Sequence, residues 1–110
     1  MSRKRIPRQA MIRGHRWKIR DVSKLKEWIE GLPEEEQEEY KLKPGMHYEG
    51  LCVYDYKTLW IPTEGITRED LEVQIHETLH GCTELDEAAV TETARDIAEL
   101  LWRLGWRREG

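Results

Sequence analysis

Ile75-His76-Glu77-Thr78-Leu79-His80-Gly81 is the stretch from which the rest of this chain is best read. Two histidines four residues apart fall one turn apart on the same face of a helix, where both imidazoles can reach a single metal ion. Glu77, next to the first of them, would then stand beside that ion as general base for an activated water. Five residues also arise by chance, so the flanks must show that this stretch is helical.

Upstream, Thr67 followed by Asp70 resembles a capping box with Asp in the place of Glu or Gln. Arg68-Glu69-Asp70 puts acids into the first turn, where the helix dipole favours them. Leu71, Ile75 and Leu79 recur every four residues as an apolar stripe, with His76 and His80 beside it. Gly81 reads as a left-handed C-cap. The spacing predicts a helix of about four turns ending at the motif.

A zinc site needs a third protein ligand. From residue 86 onward, Val90, Ala94, Ile97, Leu101 and Leu104 follow one another at helical spacing as a core-facing seam. Extended backwards, the seam reaches Glu87, and a carboxylate in a core position is costly unless it is paired or bound to metal. Glu92, Arg95, Asp96 and Glu99 read as the solvated face. Glu87 is therefore preferred to Glu92 as third ligand. The alternative is a favourable first-turn acid in a helix capped by Asp86 or Thr83. The short connection from Cys82 to Asp86 folds the two helices into a hairpin.

With these residues in place, the stretch from Gly50 to Trp106 resembles the gluzincin metallopeptidases, and in its small size the minigluzincins. The matching segments are Leu59-Trp60-Ile61-Pro62 as an edge-like strand, Ile75 to Gly81 as active-site helix, and Glu87 with Val90 and Ala94 as glutamate helix. The gap from His80 to Glu87 is shorter than in most gluzincins. The resemblance implies an α+β fold: a small zincin-like domain whose short, mostly antiparallel sheet packs on the HExxH helix and a C-terminal glutamate helix. It also implies one Zn2+ per chain held by His76, His80 and Glu87, with Glu77 as catalytic base. The expected activity is hydrolysis of a peptide or protein substrate, in an active or a latent, self-inhibited form. Leu59 to Ile61 would align an extended peptide by main-chain hydrogen bonds.

Length agrees with one domain spanning residues 1–110, since a chain of 110 residues buries a single modest core. A charged fraction of 36% and a formal net charge of -4 suit a solvated surface. The five Trp, in a chain without Phe, are expected mostly in the core. No apolar run approaches a membrane span and the first residues lack a signal-peptide apolar region, which makes the cytoplasm the expected compartment. There, Cys52 and Cys82 read as buried thiols, with a disulfide or a sulfur near the metal as alternatives. Neither belongs to a closely spaced pair of the kind zinc fingers use.

Charge is uneven along the chain. Arg3, Lys4, Arg5, Arg8, Arg13, Arg16, Lys18 and Arg20 precede the first acid, whereas Glu34 to Glu39 form an acidic block. Residues 1–12 read as a basic, mobile arm, which could touch nucleic acid or pair with that block. Without stacking aromatics, nucleic-acid binding is the less favoured reading. Trp17 to Val22 alternates as a half-buried strand. Residues 23–45 form a polar helical insertion, with Ser23 as cap, Leu25, Trp28, Ile29 and Leu32 on one face, Gly31 as its end and Pro33 opening a second short helix. A solvated helix is the economical reading and a lid the other. Leu51-Cys52-Val53-Tyr54 and Thr58-Leu59-Trp60-Ile61 make a hairpin that Pro62 stops at an edge. The spacing does not identify an oxyanion partner: Tyr54, Tyr56, His47 and Arg68 could each reach the site, and nothing in the sequence separates them. A zinc-stabilised regulatory domain is the non-catalytic alternative. Oligomeric state is not legible, although an edge strand and surplus tryptophans would permit a dimer.

Overall fold

The computed structural model describes residues 6–108. Strands β1 (Gln9–Ile12) and β2 (His15–Asp21) pair antiparallel across Arg13 and Gly14. Both turn residues have positive φ, 49° and 82°, as in the mirror-image turns that match strand twist. The basic arm expected over residues 1–12 is thus corrected at its end: Gln9–Ile12 is an edge strand, because Ala10 and Ile12 can face inward beside Trp17 and His15. Arg3, Lys4 and Arg5 lie outside the described residues.

Strands β3 (Leu51–Val53) and β4 (Thr58–Ile61) form the second hairpin, closed by a hydrogen bond from Lys57 N to Tyr54 O of 3.0 Å. β4 then joins β2 in parallel, giving the order β1-β2-β4-β3. The sheet is mixed and mostly antiparallel. β4 is interior, not the edge expected from Pro62, and its ladder groups are committed on both sides. Pro62 falls one residue past the strand, so it costs no ladder bond. The free edge beside it is β3.

Side-chain alternation gives the sheet two packed faces. Ile19, Leu59 and Cys52 lie in register on one, and Arg20, Trp60 and Leu51 on the other. The Trp60 face is covered by α1 (Leu25–Glu30) and by Tyr40, which follows the short α2 (Glu34–Gln37). Leu25, Val53 and Trp60 are buried together, with Val22, Trp28, Ile29, Tyr40 and Tyr48 packed round them. The Trp28 ring meets Tyr56, Trp60 and Tyr40 at centroid distances of 5.3, 5.6 and 5.7 Å. Within the 23–45 insertion, α1 packs Leu25, Trp28 and Ile29 against the sheet while Lys26, Glu27 and Glu30 face solvent. Ser23 does not cap this helix; Asp21 caps the 3-10 turn Val22–Lys24 that leads into α1, its carboxylate accepting from Ser23 N at 3.0 Å and also from Thr63 N at 3.0 Å and Thr63 Oγ1 at 2.8 Å. Burial opposes its ionisation, but the hydrogen bonds from Ser23 and Thr63 outweigh that and hold Asp21 below the usual carboxyl value.

The opposite face carries α3 (Arg68–Cys82) and α4 (Glu87–Arg103), an antiparallel helical hairpin. The capping box of Thr67 and Asp70 is formed, each side chain accepting from the other's backbone N–H at 3.1 Å. Gly81 does not cap; α3 runs on to Cys82. A Cβ at Gly81 would lie 3.3 Å from the ring of fully buried Trp17, so the glycine admits the indole against the helix. On α4 the buried positions are Val90, Ala94 and Ala98, whereas Ile97 and Leu104 face outward. A straight helix of 3.6 residues per turn drifts off a strict seven-residue seam, which is why the expected seam and the buried one separate along α4. Of the tryptophans, Trp17 and Trp60 are buried and Trp106 is exposed.

Candidate metal centre

The helical hairpin brings the end of α3 against the start of α4. At the far end, Arg68 ties the two together, its Nε donating to Glu99 at 2.9 Å and its Nη1 to Glu72 at 2.8 Å. At the near end, Asp86 caps α4 by accepting from Ala89 N at 2.8 Å, which fixes Glu87 as the first helical residue. Arg13, from the β1–β2 turn, donates to Cys82 O at 3.3 Å, placing a cation at the C-terminus of α3.

Three side chains converge there. His76 Nε2 and His80 Nε2 are 3.2 Å apart. Glu87 Oε1 lies 3.0 Å from His76 Nε2, and Glu87 Oε2 lies 2.6 Å from His80 Nε2. Among the described residues this is the cluster whose geometry could hold a metal ion, its ligand atoms all lying within 4.8 Å of one another. A tetrahedral ion with bonds of about 2.0–2.1 Å separates its ligands by about 3.3 Å. Two of the three separations are close to that value, and the shorter one opens by rotation of the Glu87 carboxylate, whose side chain is 69% exposed. The residues fit a small divalent cation, and two imidazoles with one carboxylate suit zinc as well as other first-row ions. Glu87 reaches the histidines by standing at the hairpin's mouth, not by occupying the core position that its spacing suggested.

Glu77 shares a recess with His76, His80 and Glu87, on the side of that recess formed by β3. A Cβ on Gly50 would lie 3.0 Å from Glu77 Cγ, so the side chain runs beside the backbone just before the strand. Burial pushes the Glu77 carboxyl up to about 7, the Glu87 carboxylate adds to the rise, and a hydrogen bond from the Cys52 backbone opposes it. A carboxyl with a pKa near neutrality is suited to taking and returning a proton.

A recess lined by Tyr48, Gly50, Leu51, Cys52 and Tyr54 opens onto His76, Glu77, His80 and Glu87. It adjoins a cleft of about 1040 Å³ that carries His47, Glu49, Glu69 and Glu72 and has neither Lys nor Arg in its lining. Of the four groups within expected reach, Tyr54 and His47 border these spaces. Tyr56 does not: its hydroxyl donates to Glu36 at 3.0 Å on the opposite face of the sheet. Arg68 is engaged by Glu72 and Glu99 at the far end of the hairpin. Tyr48 was not foreseen; its hydroxyl donates to Tyr40 O at 2.8 Å, and the residue lines both the recess and the cleft. Its place there depends on packing against the Leu25, Val53 and Trp60 core, a long-range contact with no local sequence signal. Cys52 and Cys82 are free thiols, neither joins the donor cluster, and burial raises Cys52 to about 12.

The fold and site together define an α+β domain with an HExxH helix and a glutamate from the following helix at its open end. No protein-family model, curated protein or solved structure matches this chain. No described helix is long and apolar enough to cross a membrane.

Proposed function

We propose that this protein is a zinc-dependent metallopeptidase of the gluzincin type. The observation that carries the reading is the convergence of His76, His80 and Glu87 donors within 4.8 Å, with a buried carboxyl one residue from the first histidine. His76, His80 and Glu87 would hold the ion. When bound, zinc supplies a Lewis acid that polarises a scissile carbonyl and makes a water acidic enough to attack it. Glu77 Oε would accept a proton from the attacking water and return one to the leaving amine. The Cys52 hydrogen bond and the packing beside Gly50 orient the carboxylate for both transfers.

β3 is the outer strand and borders the same recess, so Leu51–Val53, apart from the Cys52 N–H that Glu77 takes, is the segment on which an extended peptide would pair, in place of the interior Leu59–Ile61. The test is hydrolysis of a quenched fluorescent peptide library by zinc-loaded protein beside Glu77→Gln. Turnover lower by about 10²–10⁴-fold in a variant that keeps its fold and zinc supports the reading. Equal turnover in the two proteins contradicts it.

A further inference from the structure

The flank of α4 that runs alongside its buried stripe is apolar and open to solvent. Ile97 is 36%, Leu100 58% and Leu104 66% exposed. With Thr93 they are spaced four, three and four residues apart, the a/d spacing of a helix-pairing seam. Trp106, 67% exposed, continues the patch past the helix end. It is held there by a left-handed cap in which Gly105 has φ 93°, Gly105 N donates to Trp102 O and Trp106 N to Leu101 O, both at 3.0 Å. Exposed aliphatic residues in register along a helix mark an interaction face rather than scattered surface apolarity.

We infer that a second copy of this chain docks on this face, its α4 antiparallel to the first. If Ile97 and Leu104 are a positions and Thr93 and Leu100 d positions, the charged g positions are Asp96 and Arg103. A parallel pair would set these g positions against e positions of the partner helix, which are Ala94 and Leu101. In an antiparallel pair g meets g, and Asp96 of each copy stands opposite Arg103 of the other. Ile97 then packs against Leu100 and Leu104 against Thr93, twice each by symmetry. One surface complementary to itself under a two-fold axis is what an isologous dimer requires.

Among the described residues Asp96 and Arg103 make exposed pairings, to Arg95 at 3.4 Å and to Glu99 at 2.9 Å, and such pairs exchange readily. The seam begins at Thr93, about 9 Å along the axis from Glu87, so pairing leaves the His76–His80–Glu87 cluster open. The inference does not depend on what that cluster binds.

The experiment is sedimentation equilibrium of the full chain from about 1 µM to about 1 mM, the span of weak to moderate association. It is run beside Leu100→Glu, Leu104→Glu, Asp96→Arg and Asp96→Arg/Arg103→Asp. Both leucines are exposed, so the variants keep the wild-type circular dichroism. The wild type is expected to dimerise reversibly, with Kd raised by about tenfold or more in each leucine variant, because an unpaired carboxylate in the seam must be desolvated. Asp96→Arg weakens the dimer by opposing two arginines, and the double exchange restores it. A wild type that is monomeric throughout leaves the face for another partner and overturns the proposal. A dimer indifferent to both leucine variants does so too, and one indifferent to Asp96→Arg overturns the antiparallel register.

Discussion

Gly50→Ala tests how closely α3 and Glu77 are seated on the sheet. The added Cβ would lie 2.7 Å from Val73 Cγ1, 3.0 Å from Glu77 Cγ and 3.1 Å from Trp60 O. Carbon atoms in good contact sit about 3.5–4.0 Å apart, so the overlap with Val73 approaches 1 Å. Neither neighbour yields easily. Val73 is β-branched within a helix and has essentially one rotamer, and the Trp60 carbonyl belongs to the central strand. Relief requires α3 to lift from the sheet, at the roughly 1–3 kcal/mol that overpacking costs. For a domain of this size that lowers Tm by about 4 °C or more per kcal/mol. Gly81→Ala is the control. Its Cβ meets only the Trp17 ring edge at 3.3 Å, and it gains about 1 kcal/mol of helix propensity, so it should be close to neutral. Urea unfolding with the two variants side by side decides the matter. A Gly50→Ala protein as stable as wild type would refute this account of the α3–sheet contact.

Asp21→Asn should cost about 1–3 kcal/mol at pH 7, since one carboxylate serves both Ser23 and Thr63. Because the folded pKa lies below the free value of 3.8, this stabilisation is complete above that pH and fades as pH falls through the folded value. Urea midpoints of wild type and variant should therefore converge in acid, and a gap constant down to pH 2 would contradict the assignment. Val90→Ala, at a fully buried position, should lose about 1–3 kcal/mol, whereas Leu100→Ala at low protein concentration should change stability by under about 0.5 kcal/mol. Similar losses from both would show that the buried face of α4 has been misplaced. Zinc at 100 times its Kd should add about 2.7 kcal/mol of stability to wild type, and none of this should survive in His76→Ala. Differential scanning calorimetry reads both, and equal zinc shifts in the two would rule out His76 as a ligand.

What was legible in the sequence was local. The capping box at Thr67, the stripe of Leu71, Ile75 and Leu79, and the four-residue spacing of the histidines all act within one helix, and α3 forms as they indicate. Asp86 as the α4 cap is legible for the same reason. What lies beyond local reach is strand order. Nothing in Thr58–Ile61 records that β2, far earlier in the chain, will pair along it, so an interior strand ending before a proline was read as an edge. The strand at Gln9–Ile12 was hidden by the run of arginines and lysines around it, although Arg13-Gly14 between two alternating segments is a turn signal. Glu87 was chosen on a burial argument, yet its side chain is 69% exposed. Its place beside the histidines comes from the short hairpin connection and the Asp86 cap.

The central claim, that His76, His80 and Glu87 form one metal site, is tested most directly by the zinc content of purified wild type beside His76→Ala and Glu87→Ala, each checked by circular dichroism. The account predicts one equivalent of zinc in the wild type and loss of it in both folded variants. Zinc retained by Glu87→Ala would remove Glu87 from the site, and a zinc-replete wild type without bound metal would contradict the claim outright.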